Sequence, residues 1–106
     1  MKKEVEDRTE YRNEQGELHR EDGPAVEYPN GTKEWYMQGK LHREDGPAVE
    51  YAGGSQLWYL NDRLHREDGP AVVRSSGGKA WYLHDELVSE EEFNAFVVKN
   101  FEIGEI

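Results

Sequence analysis

The chain has no cysteine, only four prolines and two methionines, and no long apolar run. Without cysteine there is no disulfide framework, no thiolate metal site and no thiol nucleophile. Hydrophobic residues make up 35% of the 106 positions and charged residues 34%, a thin apolar supply for a single domain. No stretch approaches the ~20 apolar residues that cross a membrane as a helix. The opening MKKEVEDRTEYR lacks the apolar centre of a signal peptide, so a soluble, cytoplasmic protein is expected. Positive charge is also short: 13 Lys and Arg stand against 23 Asp and Glu, a net charge of −10. That balance disfavours direct binding to nucleic acid or an anionic membrane. There is no Gly-rich phosphate loop, no H-E-x-x-H and no nucleophile with a base readable beside it. The expectation is therefore no enzyme: no catalytic residue, no metal ligand and no cofactor.

What is present is a repeat. LHREDGPAV occurs unchanged at Leu18–Val26, Leu41–Val49 and Leu64–Val72, 23 residues apart. Trp35, Trp58 and Trp81 keep the same spacing, as do Tyr36, Tyr59 and Tyr82. A period of this length marks a repeat architecture. Aromatics at 11% are too frequent for simple disorder. The acidity sits at the two ends: residues 10–32 carry two basic and six acidic side chains, and residues 79–106 carry two and seven. The middle units, 33–55 and 56–78, are close to neutral.

Each unit has three points of punctuation. Asn30-Gly31, Gly53-Gly54 and Ser76-Gly77 fall in one register and read as two-residue hairpin loops. Gln38-Gly39, Asn61-Asp62 and His84-Asp85 form a second set, with Gln15-Gly16 before them. Asp-Gly-Pro at 22–24, 45–47 and 68–70 interrupts pairing, because proline lacks a donor and fixes φ. Two-residue loops in the first set predict Val26 opposite Trp35, Val49 opposite Trp58 and Val72 opposite Trp81. Each would be a favourable β-branched–aromatic pair, on a face shared with Met37, Leu60 and Leu83. The second set predicts Tyr36 opposite Leu41 and Tyr59 opposite Leu64. It also puts Arg43 opposite Glu34 as an ion pair, with His42 beside Trp35.

The fourth unit begins normally and then departs into Val88-Ser89-Glu90-Glu91-Glu92-Phe93. Ser89 with Glu92 is a capping box. Phe93, Phe96, Val97 and Phe101 follow near helical spacing, predicting a helix over about Glu90–Asn100. Such a helix closes the stack, as repeat arrays require, and should fold first over Trp81 and Leu83. The chain thus reads as one mainly β domain of residues 1–106, a single antiparallel meander of about seven short strands with a C-terminal capping helix. Residues 1–9 are a tail, 10–32, 33–55 and 56–78 are repeats, 79–88 is a partial repeat, and 89–106 are helical cap and tail.

The segments WYMQGKLHREDGPAVEYAGG at 35–54 and WYLNDRLHREDGPAVVRSSG at 58–77 resemble a variant of the MORN repeat, which also has about 23 residues and a hairpin per unit. The resemblance spans Glu10–Val88. It departs where Arg-Glu-Asp stands before Gly-Pro instead of a second glycine, and where Arg12-Asn13 replaces Trp-Tyr, marking the first unit as frayed or edge-like. The closing Ser-Glu-Glu-Glu-Phe helix is similar to that of small proteins of tailed bacteriophages and some bacteria. The resemblance implies a scaffold or protein-binding array, and on the phage side an accessory protein in the host cytoplasm that inhibits a host defence protein.

His19, His42 and His65 recur with Asp22, Asp45 and Asp68, and a ladder of metal or phosphate sites is one reading. A residue present in every copy is better explained as a part of each corner. The Glu90–Glu92 run reads as a helix start rather than as mimicry of nucleic-acid charge. The uncovered end of the Trp face is the candidate surface for a host protein or a second copy of the chain. Its candidate partner-binding residues are Trp35, Met37, Tyr28, His42 and Trp58. A sponge for a small anionic, nucleotide-like signalling molecule, held by the repeated Arg and His, is the alternative, followed by a structural or assembly role.

Overall fold

The structure, a computed structural model, describes residues 1–5 and 7–104. The side chains of Val5 and of residues 100–104 are outside that description, and Phe101, expected on the helix stripe, is among them. In chain order the strands are β1 (Lys2–Val5), β2 (Arg8–Tyr11), β3 (Val26–Glu27), β4 (Lys33–Glu34), β5 (Tyr36–Met37), β6 (Lys40–Leu41) and β7 (Val49–Glu50). They continue as β8 (Gln56–Leu57), β9 (Tyr59–Leu60), β10 (Arg63–Leu64), β11 (Val72–Val73), β12 (Lys79–Leu83) and β13 (Glu86–Val88), followed by helix α1 (Glu90–Gly104). The fold is mainly β, an antiparallel meander with one C-terminal helix.

Nine strands make one sheet in the order β1-β2-β3-β4-β7-β8-β11-β12-β13, and β5-β6 and β9-β10 stand apart as two-stranded ribbons. The sheet is thus wider than seven strands, and residues 2–5 are a strand of it, paired with β2, rather than a tail. The molecule measures 49 × 32 × 19 Å.

The expected register of the first loops is wrong by one residue in every unit. Val49 pairs with Leu57, Val26 with Glu34 and Val72 with Ala80, so the predicted Val–Trp pairs do not form. The loop has three residues, not two. Tyr51 N–H donates to Ser55 O, and Gly54 N–H turns back to Tyr51 O. Gly31, Gly54 and Gly77 take φ of +99°, +107° and +100°, the left-handed third position of a three-residue hairpin. A one-residue slip exchanges the faces of a strand. Val26, Glu34, Val49, Leu57 and Val72 consequently run in one cross-strand row that begins with Lys3 and Glu10 and ends at Ala80.

The second loops match expectation. Tyr36 pairs with Leu41 and Tyr59 with Leu64. Gln38 and Gly39, Asn61 and Asp62, and His84 and Asp85 all have positive φ, the conformation of two-residue type I′ turns. Between β4 and β5, and between β8 and β9, the chain changes partner at the tryptophan. Trp35 N–H donates to Ala48 O and Trp58 N–H to Ala71 O, in each case reaching the far side of the Asp-Gly-Pro corner that follows in its own unit. Trp81 has no such corner after it, and there β12 runs on unbroken through five residues.

The core is narrow and built from small side chains. Ala25, Ala48 and Ala71 are fully buried, with Val26, Val49, Val72 and Phe93 nearly so. Phe93 belongs to α1 and lies 6.5 Å from the Trp81 ring, centroid to centroid. The capping box forms: Ser89 N–H donates to Glu92 Oε1 at 2.8 Å, and Glu92 N–H to Ser89 Oγ at 3.0 Å. The helix therefore closes the fourth unit and leaves the units before it open. Phe93→Ala should cost about 3 kcal/mol, the usual loss for a buried aromatic. Val98→Ala, at a side chain 52% exposed, should stay within ~0.5 kcal/mol. Urea unfolding of the two variants checks the pair.

Candidate functional site

Three identical corners dominate one face. In each, the arginine of LHREDGPAV lies flat on an aromatic ring: Arg43 Cζ is 3.9 Å from the Trp35 centroid, Arg66 Cζ 3.8 Å from Trp58, and Arg20 Cζ 3.9 Å from Tyr11. A guanidinium over an aromatic face is a cation–π contact. The same side chain donates from Nε to the aspartate two residues on, at 3.0, 3.0 and 2.7 Å for Asp22, Asp45 and Asp68. Its Nη1 donates to the proline carbonyl, Pro24, Pro47 or Pro70. Arg20 and Arg43 also reach Glu27 and Glu50. The expected Arg43–Glu34 pair is replaced by Arg43–Asp45 and Arg43–Glu50, because stacking on Trp35 aims the guanidinium back over its own corner.

Glycine inside the corner leaves room for the stacked arginine. A Cβ at Gly23, Gly46 or Gly69 would lie 3.0, 2.9 or 2.9 Å from the arginine Cζ. The first unit obeys the same plan with its ring one residue early. Tyr11 takes the tryptophan slot and its N–H donates to Ala25 O, as Trp35 donates to Ala48 O. Asn13 N–H to Glu17 O closes a three-residue loop that absorbs the offset. The first unit is thus not frayed. The sequence signal for it was an aromatic displaced by one position.

Each histidine joins two units. His19, His42 and His65 accept at Nδ1 from the backbone N–H of Gln38, Asn61 and His84, at 2.9, 3.0 and 2.8 Å. Nε2 faces Glu21, Glu44 and Glu67 at 3.4, 3.2 and 2.9 Å. An accepting Nδ1 makes Nε2 the donor of the neutral ring, so both nitrogens of each histidine are committed. Around them Asp62 N–H donates to Leu41 O while Asp62 Oδ1 accepts from Leu41 N–H, and Asp85 does the same with Leu64. Among the described residues no group of three or more His, Asp or Glu is placed to hold a metal ion.

Two adjoining grooves run between the corners. The first, of 520 Å³, lies between the Arg20 and Arg43 corners with Trp35 and Met37 in its lining. The second, of 870 Å³, lies between the Arg43 and Arg66 corners over Trp58 and Leu60. His42 lines both. Of the five candidate residues, Trp35, Met37, His42 and Trp58 are therefore brought together along one line. Tyr28 is not among them. Its hydroxyl donates to Glu34 Oε1 at 3.4 Å, and so does that of Tyr36, in a separate polar cluster. Burial and then the Glu34 charge push the Tyr36 hydroxyl up to about 12 and raise Tyr28 as well.

Near that cluster Glu10 is 5% exposed. It accepts from Arg8 Nε at 2.8 Å and Arg12 Nε at 3.2 Å. The Arg8 bond, helped by Arg12, holds its carboxyl below the ordinary glutamate value despite burial. A depressed value means stability that is present above the unfolded-state value and lost as pH falls through the folded one. Acid unfolding of Glu10→Gln should accordingly be shallower than that of the wild type over that range. Gly46→Ala should lower stability by about 1–2 kcal/mol by lifting Arg43 off Trp35. Gly53→Ala meets nothing within 4 Å and should be neutral or slightly stabilising; parallel urea titrations compare them.

No family model, no curated protein and no solved structure matches the chain.

Proposed function

We propose that the chain is a non-catalytic protein-binding module that makes contact through the groove line over Trp35, Met37, His42 and Trp58. The observation that carries this reading is the half-buried aromatic and aliphatic lining left open between corners, while α1 packs against the last unit through Phe93 on Trp81. Apolar surface framed by polar residues is the usual mark of a protein contact. The titratable side chains of the corners are tied into bonds that build the corner, which argues for scaffold over reaction chemistry. The partner is a host protein, on the phage resemblance a defence factor that the module inhibits, or a second copy of the chain. The sponge for a small anion is less favoured. Arg20 and Arg43 already serve an aspartate, a carbonyl and a glutamate, so an anion would have to displace carboxylates.

The test is affinity capture from a bacterial lysate with wild-type and Met37→Glu baits, alongside sedimentation of each alone. Met37 lines the first groove and takes no part in the arginine stack, so the variant should fold as the wild type does. A protein retained in stoichiometric amount by the wild type, or a wild-type dimer, should be lost with Met37→Glu. A wild-type bait that is monomeric and retains nothing removes the reading, as does a partner indifferent to Met37→Glu.

A further inference from the structure

The two grooves carry a charge pattern that the near-neutral totals of the middle units conceal. At each corner the arginine side chain is drawn in, 22–24% exposed, and its positive charge is spent on Asp22, Asp45 or Asp68. The carboxylates project outward: Glu21, Asp22, Glu44, Asp45 and Asp68 are 80–89% exposed and Glu67 is 47% exposed. The histidines beside Glu21, Glu44 and Glu67 accept a backbone N–H and are neutral in that arrangement. Each corner thus sets one arginine against two carboxylates. In the first two corners Glu27 and Glu50 add a third. Among the described residues, Arg20, Arg43 and Arg66 are the only basic ones lining the grooves apart from histidine. The surface is an apolar floor crossed by three acidic ridges.

The ridges are also regularly spaced. Each repeat contributes two strands to the long sheet, and strands lie ~4.8 Å apart, so successive corners are separated by ~10 Å. An extended chain in the polyproline II conformation advances ~3.1 Å per residue and returns to the same face every three residues, so three of its residues cover one repeat. We infer that the groove line takes an extended, basic protein segment with a positive side chain at every third position, each set against one acidic ridge, and with the residues between lying over Trp35, Met37, Trp58 and Leu60. This rests on the protein-binding reading and names the chemistry of the partner. Opposite charge across such a rim sets the encounter rate and the register more than the depth of binding.

The probe is a labelled synthetic peptide of about twelve residues with lysine at every third position and small polar residues between, matched to the ~10 Å period. Its control has the same composition with the lysines grouped at one end. Fluorescence anisotropy should give roughly tenfold tighter binding for the spaced peptide, and the affinity should fall as salt is raised. The triple variant Glu21→Gln, Glu44→Gln, Glu67→Gln should bind roughly tenfold more weakly. Glutamine still accepts the histidine Nε2–H, so the corners should keep their circular dichroism spectrum. Glu44→Gln alone, on the ridge shared by both grooves, provides the reading if the triple variant does not fold. Equal affinity for the two peptides, no binding, or indifference to the substitutions overturns the inference. If a protein captured through Met37 binds the triple variant as tightly as the wild type, the grooves are an interface but the basic-segment inference fails alone.

Discussion

Everything in this fold depends on an arginine lying flat on an aromatic ring. The chain is poor in apolar residues with which to cover Tyr11, Trp35 and Trp58, and a guanidinium covers each of these rings instead. A guanidinium is suited to the place because it is planar, weakly hydrated for a cation, and presents donors in its own plane. With one face on the ring, its edges are free to bond Asp45 and the Pro47 carbonyl. That geometry fixes its neighbours. Glycine at position 46 leaves the guanidinium its room, since a Cβ there would lie 2.9 Å from Cζ and push it off the ring. Ala48 is fully buried, its N–H bonded to Leu57 and its carbonyl to Trp35. The recurrence of Arg-Glu-Asp-Gly-Pro-Ala in three copies is thus the solution of one packing problem repeated three times.

The leucine and histidine of the motif solve a different problem, how one unit holds the next. The tight turn of each following ribbon sits on the Leu-His-Arg of the unit before it. At the central joint Asp62 N–H reaches Leu41 O, Asn61 N–H reaches His42 Nδ1, and Arg43 N–H reaches Tyr59 O. Asn, Asp and His84 tolerate the left-handed backbone these turns need, whereas Gln38 adopts it less readily. Gln38 and His84 are held there by the bonds to His19 and His65, and His84 adds a ring contact with His65 at 4.3 Å. In a stack whose units touch only their neighbours, the ends must differ from the middle. At one end β1 completes the sheet beside β2. At the other, the chain turns at Ser89 into a helix that covers Trp81, the one indole with no arginine from a following corner.

The sequence made the period, the second turns, the capping box and the position of the helix legible, because each is set by local chemistry. Asn61-Asp62 and Gln38-Gly39 can bend only a few ways, and Ser89-x-x-Glu92 has one geometry. The first loops were misread because Gly53-Gly54 fits a two-residue and a three-residue hairpin equally well. What separates the two is that only the second glycine recurs, as Gly31, Gly54 and Gly77, and that Pro29 stands at the first position of a type I turn. The slip carried the Val–Trp pairs with it, whereas the Arg43–Glu34 pair gave way to the stacking of Arg43 on Trp35. The displaced Tyr11 was missed for a related reason, since a strict 23-residue comparison cannot see a copy with one extra residue. Among the candidate contact residues, four of five fell on one line because the repeat puts them there. Tyr28 sits beside a three-residue loop, and its place depended on the register that was misjudged.

A repeat also fixes how charge meets solvent. Summed over residues 56–78 the charges cancel, three against three, which reads as an inert surface. In space they do not cancel at the same place. Arg66 is folded inward over Trp58, and Arg63 and Arg74 are not among the residues lining the grooves, while Asp68 and Glu67 are. A field at a surface depends on which charges are near it and how well they are hydrated, not on the total for the segment. The arginine that supplies the hydrophobic covering is thereby withdrawn from the surface potential, and the aspartate it bonds keeps most of its own surface in water. The same stack that lets a chain poor in apolar residues fold is what leaves an acidic ridge at every corner.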